Sequence, residues 1–291
     1  MSNGLHRHPQ RPIVAGDVEA YQRDGVVCLR GMFDAAWCSR LHDAALQVME
    51  SGAGRVREPK IAPGEGRFYS NVYLCDLHDD FRALRDLSPA PEIAAALMGS
   101  DRVRFYYDQL FIKDPGTPAP TPWHNDLPFW PFRGNDLISL WIALTPVSRE
   151  TSGVQYVAGS HRWRRMYRAI TPDYDERFMN DSLEVCPDFS AGAGGPDVRL
   201  LCWDMQPGDV LCHHPLTVHG ALGNRSQAQR RIGLSIRYLG ADVQWDPRPY
   251  TMKLRIAPAV APGDYPADDA ALPPVWSRAR GHLAHGRPHL S

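Results

Sequence analysis

The sequence predicts a mainly β fold, a sandwich or barrel preceded by a segment of mixed helix and strand, and two observations carry that expectation. From Val103 onward, short runs rich in β-branched and aromatic residues alternate with turn residues at even spacing, as in two-sheeted or closed β architectures. Before Val103, apolar residues instead recur at helical spacing between turn signals. The 291 residues carry 32 Lys+Arg against 33 Asp+Glu and are 43% hydrophobic, an ordinary globular composition large enough for a substantial core.

Taken in order, Asp17 to Leu29 reads as a short helix, a turn at Asp24-Gly25 and the strand Val26 to Leu29. Asp34 is placed to cap a second helix, along which Trp37, Leu41, Ala45 and Val48 recur up to the stop at Ser51-Gly52. Pro59 to Gly66 is a polar loop, and Pro91 to Met98 has the composition of a further helix. Strands are expected over Val103–Lys113, Pro122–Leu127, Leu137–Leu144, Val154–Val157, Val210–Cys212, Thr217–Ala221 and Arg231–Leu239. Phe189 to Val198 is a Gly/Ala/Pro loop suited to a lid or rim, and the chain after Pro258 is Pro/Ala-rich. The whole is read as one domain over 1–291, with a helix and strand part at about 13–100, a β core at about 101–245 and an extended tail at 246–291.

The balanced charge offers no footprint for nucleic acid or an anionic membrane. Met1 to Pro12 lacks the apolar run of a signal peptide, and no stretch of about 18 apolar residues occurs. A cytoplasmic protein with a small-molecule partner, and neither nucleic acid nor membrane, is expected. The six cysteines form no CxxC pair, which argues against a zinc ribbon and a thioredoxin-type motif and leaves them as mostly buried thiols.

The segment Trp123-His124-Asn125-Asp126 carries the chemistry. On a strand, residues i and i+2 share a face about 6.5–7 Å apart, so His124 and Asp126 can reach one metal. A second histidine from a distant strand completes a 2-His-1-carboxylate triad, the set that leaves open positions on ferrous iron. His219 is favoured over His213 and His214, because it lies on a β-type run and stands eleven residues before Arg230. Arg230 shares a strand face with Ile232, Leu234 and Ile236, which would point its guanidinium inward. A buried arginine needs an anion, and a five-carbon dicarboxylate would supply one. Arg231 is the competing choice, since a one-residue slip exchanges the faces of a strand.

Asp108 to Lys113, Thr121 to Phe132, Leu140 to Pro146, Gly159-Ser-His161, and His219-Gly220 through Asn224 to Arg230 resemble, in order and spacing, the phytanoyl-CoA dioxygenase family of Fe(II)- and 2-oxoglutarate-dependent oxygenases, over residues 17 to 245. The resemblance implies a double-stranded β-helix, a cupin-like jelly roll flanked by N-terminal helices. It implies Fe(II) on His124, Asp126 and His219, with Arg230 on the distal carboxylate of 2-oxoglutarate, and Gln109 and Trp141 as further contacts to that co-substrate. It also implies O2 as oxidant and hydroxylation of an unactivated C–H bond of a small molecule, in a secondary-metabolic setting. Because Asp126 is present, the site differs from halogenases that lack the carboxylate. A non-redox cupin-type enzyme and a non-catalytic binding protein are the rival readings.

Phe129 and Trp130, on a Pro-bounded loop directly after the ligand pair, are the residues expected on the substrate side; the other nearby aromatics are expected in the core. Arg162, Arg164, Arg165 and Arg168 read as a solvated basic surface. His161 is expected to anchor a turn, and His282, His285 and His289 to be solvated.

Overall fold

The computed structural model of the chain describes residues 5–171 and 173–283. Helix α1 (Ala15–Asp24) stops where Gly25 takes a left-handed φ of 75°, and strand β1 (Val26–Leu29) follows at once. Glycine is needed there: a Cβ at position 25 would lie 2.3 Å from His161 Nδ1 and 2.5 Å from Thr217 Oγ1. His161 holds this turn through the Gln22 carbonyl at 3.1 Å, the anchoring role its Gly-Ser-His setting suggests. The Asp34 carboxylate accepts from the Trp37 amide at 2.8 Å and starts α2 (Ala35–Ser51), which buries Trp37, Leu41, Ala45 and Val48 as their spacing requires. After β2 (Arg55–Arg57) and β3 (Phe68–Val72) come α3 (Asp79–Leu87) and α4 (Ala90–Met98).

The remaining strands are β4 (Arg102–Lys113), β5 (Thr121–His124), β6 (Phe132–Arg133), β7 (Leu137–Ala143), β8 (Gln155–Val157), β9 (Leu200–Leu201), β10 (Val210–His213), β11 (His219–Ala221), β12 (Arg231–Leu239), β13 (Gln244–Trp245), β14 (Pro274–Ser277) and β15 (Gly281–His282). Nine strands make the larger sheet, ordered β1-β10-β7-β12-β4-β14-β15, with β3 also on β4 and β2 on β3. The smaller sheet runs β5-β11-β8-β9, and β6 pairs β13 apart from both. Strand pairing is antiparallel in both sheets. The architecture is therefore mainly β, two antiparallel sheets of a jelly roll with the helices at its N-terminal side, as the sequence predicts.

The helices cover the outer face of the larger sheet. Ile232, Leu234, Ile236 and Tyr238 of β12 point into that layer, packed with Leu41, Phe81, Ile93 and Leu97. The opposite face of β12 carries Arg231, Ser235 and Arg237 into a cavity between the two sheets. Every residue of β12 is buried, so the strand has two interiors, one apolar and one polar. Among the described residues no helix is long and apolar enough to cross a membrane. The six cysteines are unpaired, and four of them are buried.

Candidate active site

The cavity has a volume of about 840 Å³ and is lined from both sheets. At its floor, His124, Asp126 and His219 each offer a ligand atom within 4.8 Å of the other two. Strands β5 and β11 place the histidines directly opposite in register, with ring centroids 4.3 Å apart. Strand β5 ends at His124, and Asp126 opens a 3-10 turn over Leu127–Phe129 rather than continuing the strand. The amides of Asp126 and Leu127 both donate to the Pro215 carbonyl, at 2.7 and 3.1 Å, and this pin brings the carboxylate back over His124. Asn125 points the other way and ties the turn to the Arg165 carbonyl and the Tyr167 amide.

Each candidate histidine hydrogen-bonds through Nδ1 to the carbonyl two residues before it, His124 to Pro122 at 2.7 Å and His219 to Thr217 at 2.9 Å. With the proton on Nδ1, both Nε2 lone pairs face the cavity, the arrangement of a metal-binding imidazole. Burial, then the neighbouring His124 and His213, push the His219 imidazole well below its ordinary pKa and keep it neutral. Burial alone would raise the Asp126 carboxyl, but the imidazoles of His124 and His213 beside it, with His219 and Arg237 nearby, hold it well below the usual carboxylate range. A neutral His219 imidazole and an ionised Asp126 carboxylate suit a divalent cation.

Unmet polar atoms ring the same floor. Asp126 Oδ2, His213 Nε2, Arg231 Nε, and Nε and Nη1 of Arg237 are buried without a hydrogen-bond partner among the described residues. Buried groups of this kind are rare in native proteins unless an ion or ligand completes them. The donor set therefore fits a first-row divalent metal together with an anion.

Of the two adjacent arginines, Arg231 and not Arg230 reaches the cavity. Arg230 precedes β12, is 40% exposed at its side chain and pairs through Nε with Asp114 at 2.6 Å. Arg231 is the first inward residue of β12, 2% exposed, with Nη2 3.3 Å from Ser152 Oγ and its guanidinium over the Trp141 ring at 5.4 Å. The expectation for Arg230 fails because the apolar alternation at 232, 234 and 236 faces the helices and not the cavity. A Cβ on Gly233 would lie 1.8 Å from Trp141 Cζ2, so the glycine makes the space in which the indole lies beneath the guanidinium. Trp141 and Gln109 both reach the cavity. Gln109 donates to Ser70 Oγ at 2.9 Å and accepts from Arg237 Nη2 at 3.0 Å.

Of the two aromatics expected on the substrate side, Phe129 lines the cavity and Trp130 does not. The 3-10 turn sends Trp130 into the core, fully buried against Tyr106 with centroids 5.4 Å apart. The Phe189 to Val198 loop also lies away from the cavity, Phe189 packing on the outward Trp123 at 5.5 Å. The rim is made instead by Ile170, Thr171, Asp173, Arg177 and Phe178. Arg57 Nη1 holds it through Asp173 at 2.9 Å and Asp175 at 3.1 Å, and Phe178 rests on Phe129 at 5.6 Å. The arginines of 162–168 do not line the cavity.

Sequence reasoning missed Arg237 and Tyr156 at this floor, and weighed His213 only as a rival to His219. Arg237 stacks on Tyr107 at 4.2 Å, with Nε 3.9 Å from Asp126 Oδ2. His213 Nε2 lies 3.5 Å from the same oxygen, and Tyr156, 3.1 Å from His213 Nδ1, stacks on His219. The alternation Arg231, Gly233, Ser235, Arg237 is the signal that could have found Arg237, because polar and small residues at every second position mark the wetter face. His282, expected in solvent, is 5% exposed at its side chain; His285 and His289 lie outside the described residues.

Comparison with known proteins places this geometry. The 1-deoxypentalenic acid 11-beta-hydroxylase of Streptomyces arenae is 34% identical over 222 residues, covering 71% of this chain and 73% of that protein. The probable alpha-ketoglutarate-dependent hypophosphite dioxygenase of Stutzerimonas stutzeri is 28% identical over 147 residues, 49% of this chain and 47% of the relative, so the chain spans about half that protein's length. The crystal structure of SnoK, a non-heme alpha ketoglutarate dependent carbocyclase from nogalamycin biosynthesis, shares the fold with a TM-score of 0.69 at 23% identity, covering 90% of this chain and 96% of SnoK. Residues 21–232, which include His124, Asp126, His219 and Arg231 and end before Arg237, match the phytanoyl-CoA dioxygenase (PhyH) profile, and the chain belongs to that family.

Proposed function

We propose that this chain is an Fe(II)- and 2-oxoglutarate-dependent oxygenase that oxidises, by hydroxylation, a C–H bond of a small organic molecule. The observation that carries the reading is the convergence on one cavity of a two-histidine, one-carboxylate triad and a buried guanidinium with an unpartnered nitrogen. A non-redox metal enzyme or a simple binding barrel has no need of that cation.

His124, Asp126 and His219 would hold the iron from one side and leave the positions toward the cavity to co-substrate and oxygen. Iron so held, with 2-oxoglutarate and O2, supplies an oxidative decarboxylation to succinate and CO2 coupled to oxidation of the C–H bond. Arg231 would grip the far carboxylate in a charge-assisted, forked contact, with Trp141 beneath it fixing the plane of the fork. Gln109, held by Ser70 and Arg237, presents its amide to the same ligand. Arg237 and His213 flank Asp126 and keep its carboxylate ionised and oriented.

Above the floor, Val72, Phe129, Phe178 and Met252 form an apolar wall, and Arg55 and Lys253 stand at the same cavity with no ion-pair partner among the described residues. The cavity exceeds what a five-carbon keto acid fills, so the substrate it suits is a ring-sized, apolar molecule carrying an acidic group. The relatives' names, a hydroxylase of 1-deoxypentalenic acid and a carbocyclase of an antibiotic pathway, agree with secondary metabolism.

The reading is tested by succinate release from protein reconstituted with Fe(II), ascorbate, 2-oxoglutarate and O2, over a panel of cyclic carboxylic acids. Turnover stimulated by some panel members and abolished in Asp126→Ala or His219→Ala is the expected result. A protein that binds iron but forms no succinate in any combination overturns it.

A further inference from the structure

A second cluster of metal-ligating side chains lies outside the cavity, where three distant parts of the chain meet. His8 precedes α1, Glu92 is in the first turn of α4 and His282 is on β15; each offers a ligand atom within 4.8 Å of the other two. His8 Nδ1 is 2.6 Å from Glu92 Oε2, and His282 Nε2 is 3.7 Å from the same oxygen, with the two imidazoles edge to face at 5.7 Å. His8 is 75% exposed at its side chain and Glu92 35%, whereas His282 is 5% exposed.

His282 is the unexplained member. Both of its ring nitrogens are buried, and neither has a hydrogen-bond partner among the described residues. An imidazole so enclosed normally satisfies at least one nitrogen. It faces a carboxylate across a gap too long for a hydrogen bond, and its burial disfavours its own cation. Arg7 also lies near enough to oppose charge on the ring, while Glu92 favours it.

A divalent ion in that gap resolves the arrangement. With bonds of about 2.0–2.1 Å in a tetrahedral site, ligand atoms stand about 3.3 Å apart. The His282 to Glu92 separation is already near that value, and the exposed His8 has room to swing outward to reach it. Two imidazoles and one carboxylate, with water from the exposed side as the fourth ligand, match the preferences of zinc. We propose that His8, Glu92 and His282 form a second metal site of zinc type, independent of the cavity, which fastens the segment before α1 and the β14–β15 hairpin to α4.

Zinc uptake decides the matter, measured by equilibrium dialysis of chelator-treated full-length protein carrying Asp126→Ala and His219→Ala, so that the cavity triad cannot contribute. This background protein should bind one zinc per chain at micromolar ion, and its melting temperature should rise on loading. Adding Glu92→Gln or His282→Ala should weaken binding by at least about 10–100-fold, the cost of losing even an outer-shell partner, and abolish the thermal shift. His8→Ala alters an exposed side chain, keeps the fold intact, and should weaken zinc in the same way. The proposal is overturned if the background protein takes up no zinc at tens of micromolar ion, or if its zinc and thermal shift survive Glu92→Gln and His8→Ala.

Discussion

A guanidinium that is 2% exposed, lies over an indole at 5.4 Å and leaves Nε unpartnered must meet an anion or remain a costly buried charge. Arg231→Ala should therefore raise the concentration of 2-oxoglutarate needed for half-maximal turnover by about 30–150-fold, equivalent to about 2–3 kcal/mol for a charge-assisted contact. Arg230→Ala, which breaks only the exposed pair with Asp114, should leave it unchanged, and titration of succinate formation against 2-oxoglutarate separates the two. Gly233→Ala tests the support beneath: a new methyl group 1.8 Å from Trp141 Cζ2 must displace the indole. Overpacking of this kind costs about 1–3 kcal/mol, read as a lower melting temperature, together with weaker 2-oxoglutarate binding. At this scale the sequence is legible to within one residue. Alternation places an inward arginine at the start of β12, but which of two adjacent arginines is inward depends on which side of the sheet is the cavity.

That parity belongs to the element. Apolar residues at 232, 234 and 236 are spaced as any half-buried strand would be, and the alternation does not say whether they meet helices or the barrel interior. Helix α2 was readable throughout, because its cap, stripe and stop agree; the rim of Ile170, Thr171, Asp173, Arg177 and Phe178 was not, because it has no periodicity and rests on Arg57 reaching from β2. Arg57→Gln should free that rim, and trypsin cleavage after Arg177 should accelerate several-fold with the rest of the chain protected.

Strand β4 offers a test by pH. Asp108 is fully buried and accepts from the Leu74 and Cys75 amides at 2.6 and 3.0 Å, yet burial outweighs these bonds and raises its carboxyl to about 6. A carboxyl that holds its proton more tightly when folded stabilises the protein at low pH, and this contribution is lost as pH rises from the unfolded value through about 6. Relative to Asp108→Asn, wild-type stability should fall by about 2–3 kcal/mol between about pH 4 and pH 6.5, measured by urea denaturation across that range.

For the molecule as a whole, the cavity floor is a concentration of unmet polar groups inside a well-packed jelly roll, so function and stability are set against each other there. Burial pushes Arg231 down to about 10, a sign of how poorly the site solvates the cation. Arg231→Met should raise the melting temperature of the ligand-free protein by about 2–5 °C while removing the further rise that 2-oxoglutarate gives the wild type. A β sandwich or barrel was legible from strand spacing, its jelly-roll form only from resemblance to a family, and His124 with Asp126 from their separation. Position 219 was legible from its β-type run and its distance to Arg230, but its pairing opposite position 124 was not, since it depends on β11 choosing β5 and β8 as neighbours.

The Nδ1 bonds of His124 and His219 have a final consequence. Each ring is aimed by a carbonyl two residues before it in the chain, so neither tautomer depends on distant packing or on the ion itself. Once the two strands zip together, a pair of electron donors already converges, and an arriving cation has little left to organise. Nitrogen-15 spectra of the metal-free chain should accordingly show hydrogen on Nδ1 of both rings, the same nitrogen that carries it after loading.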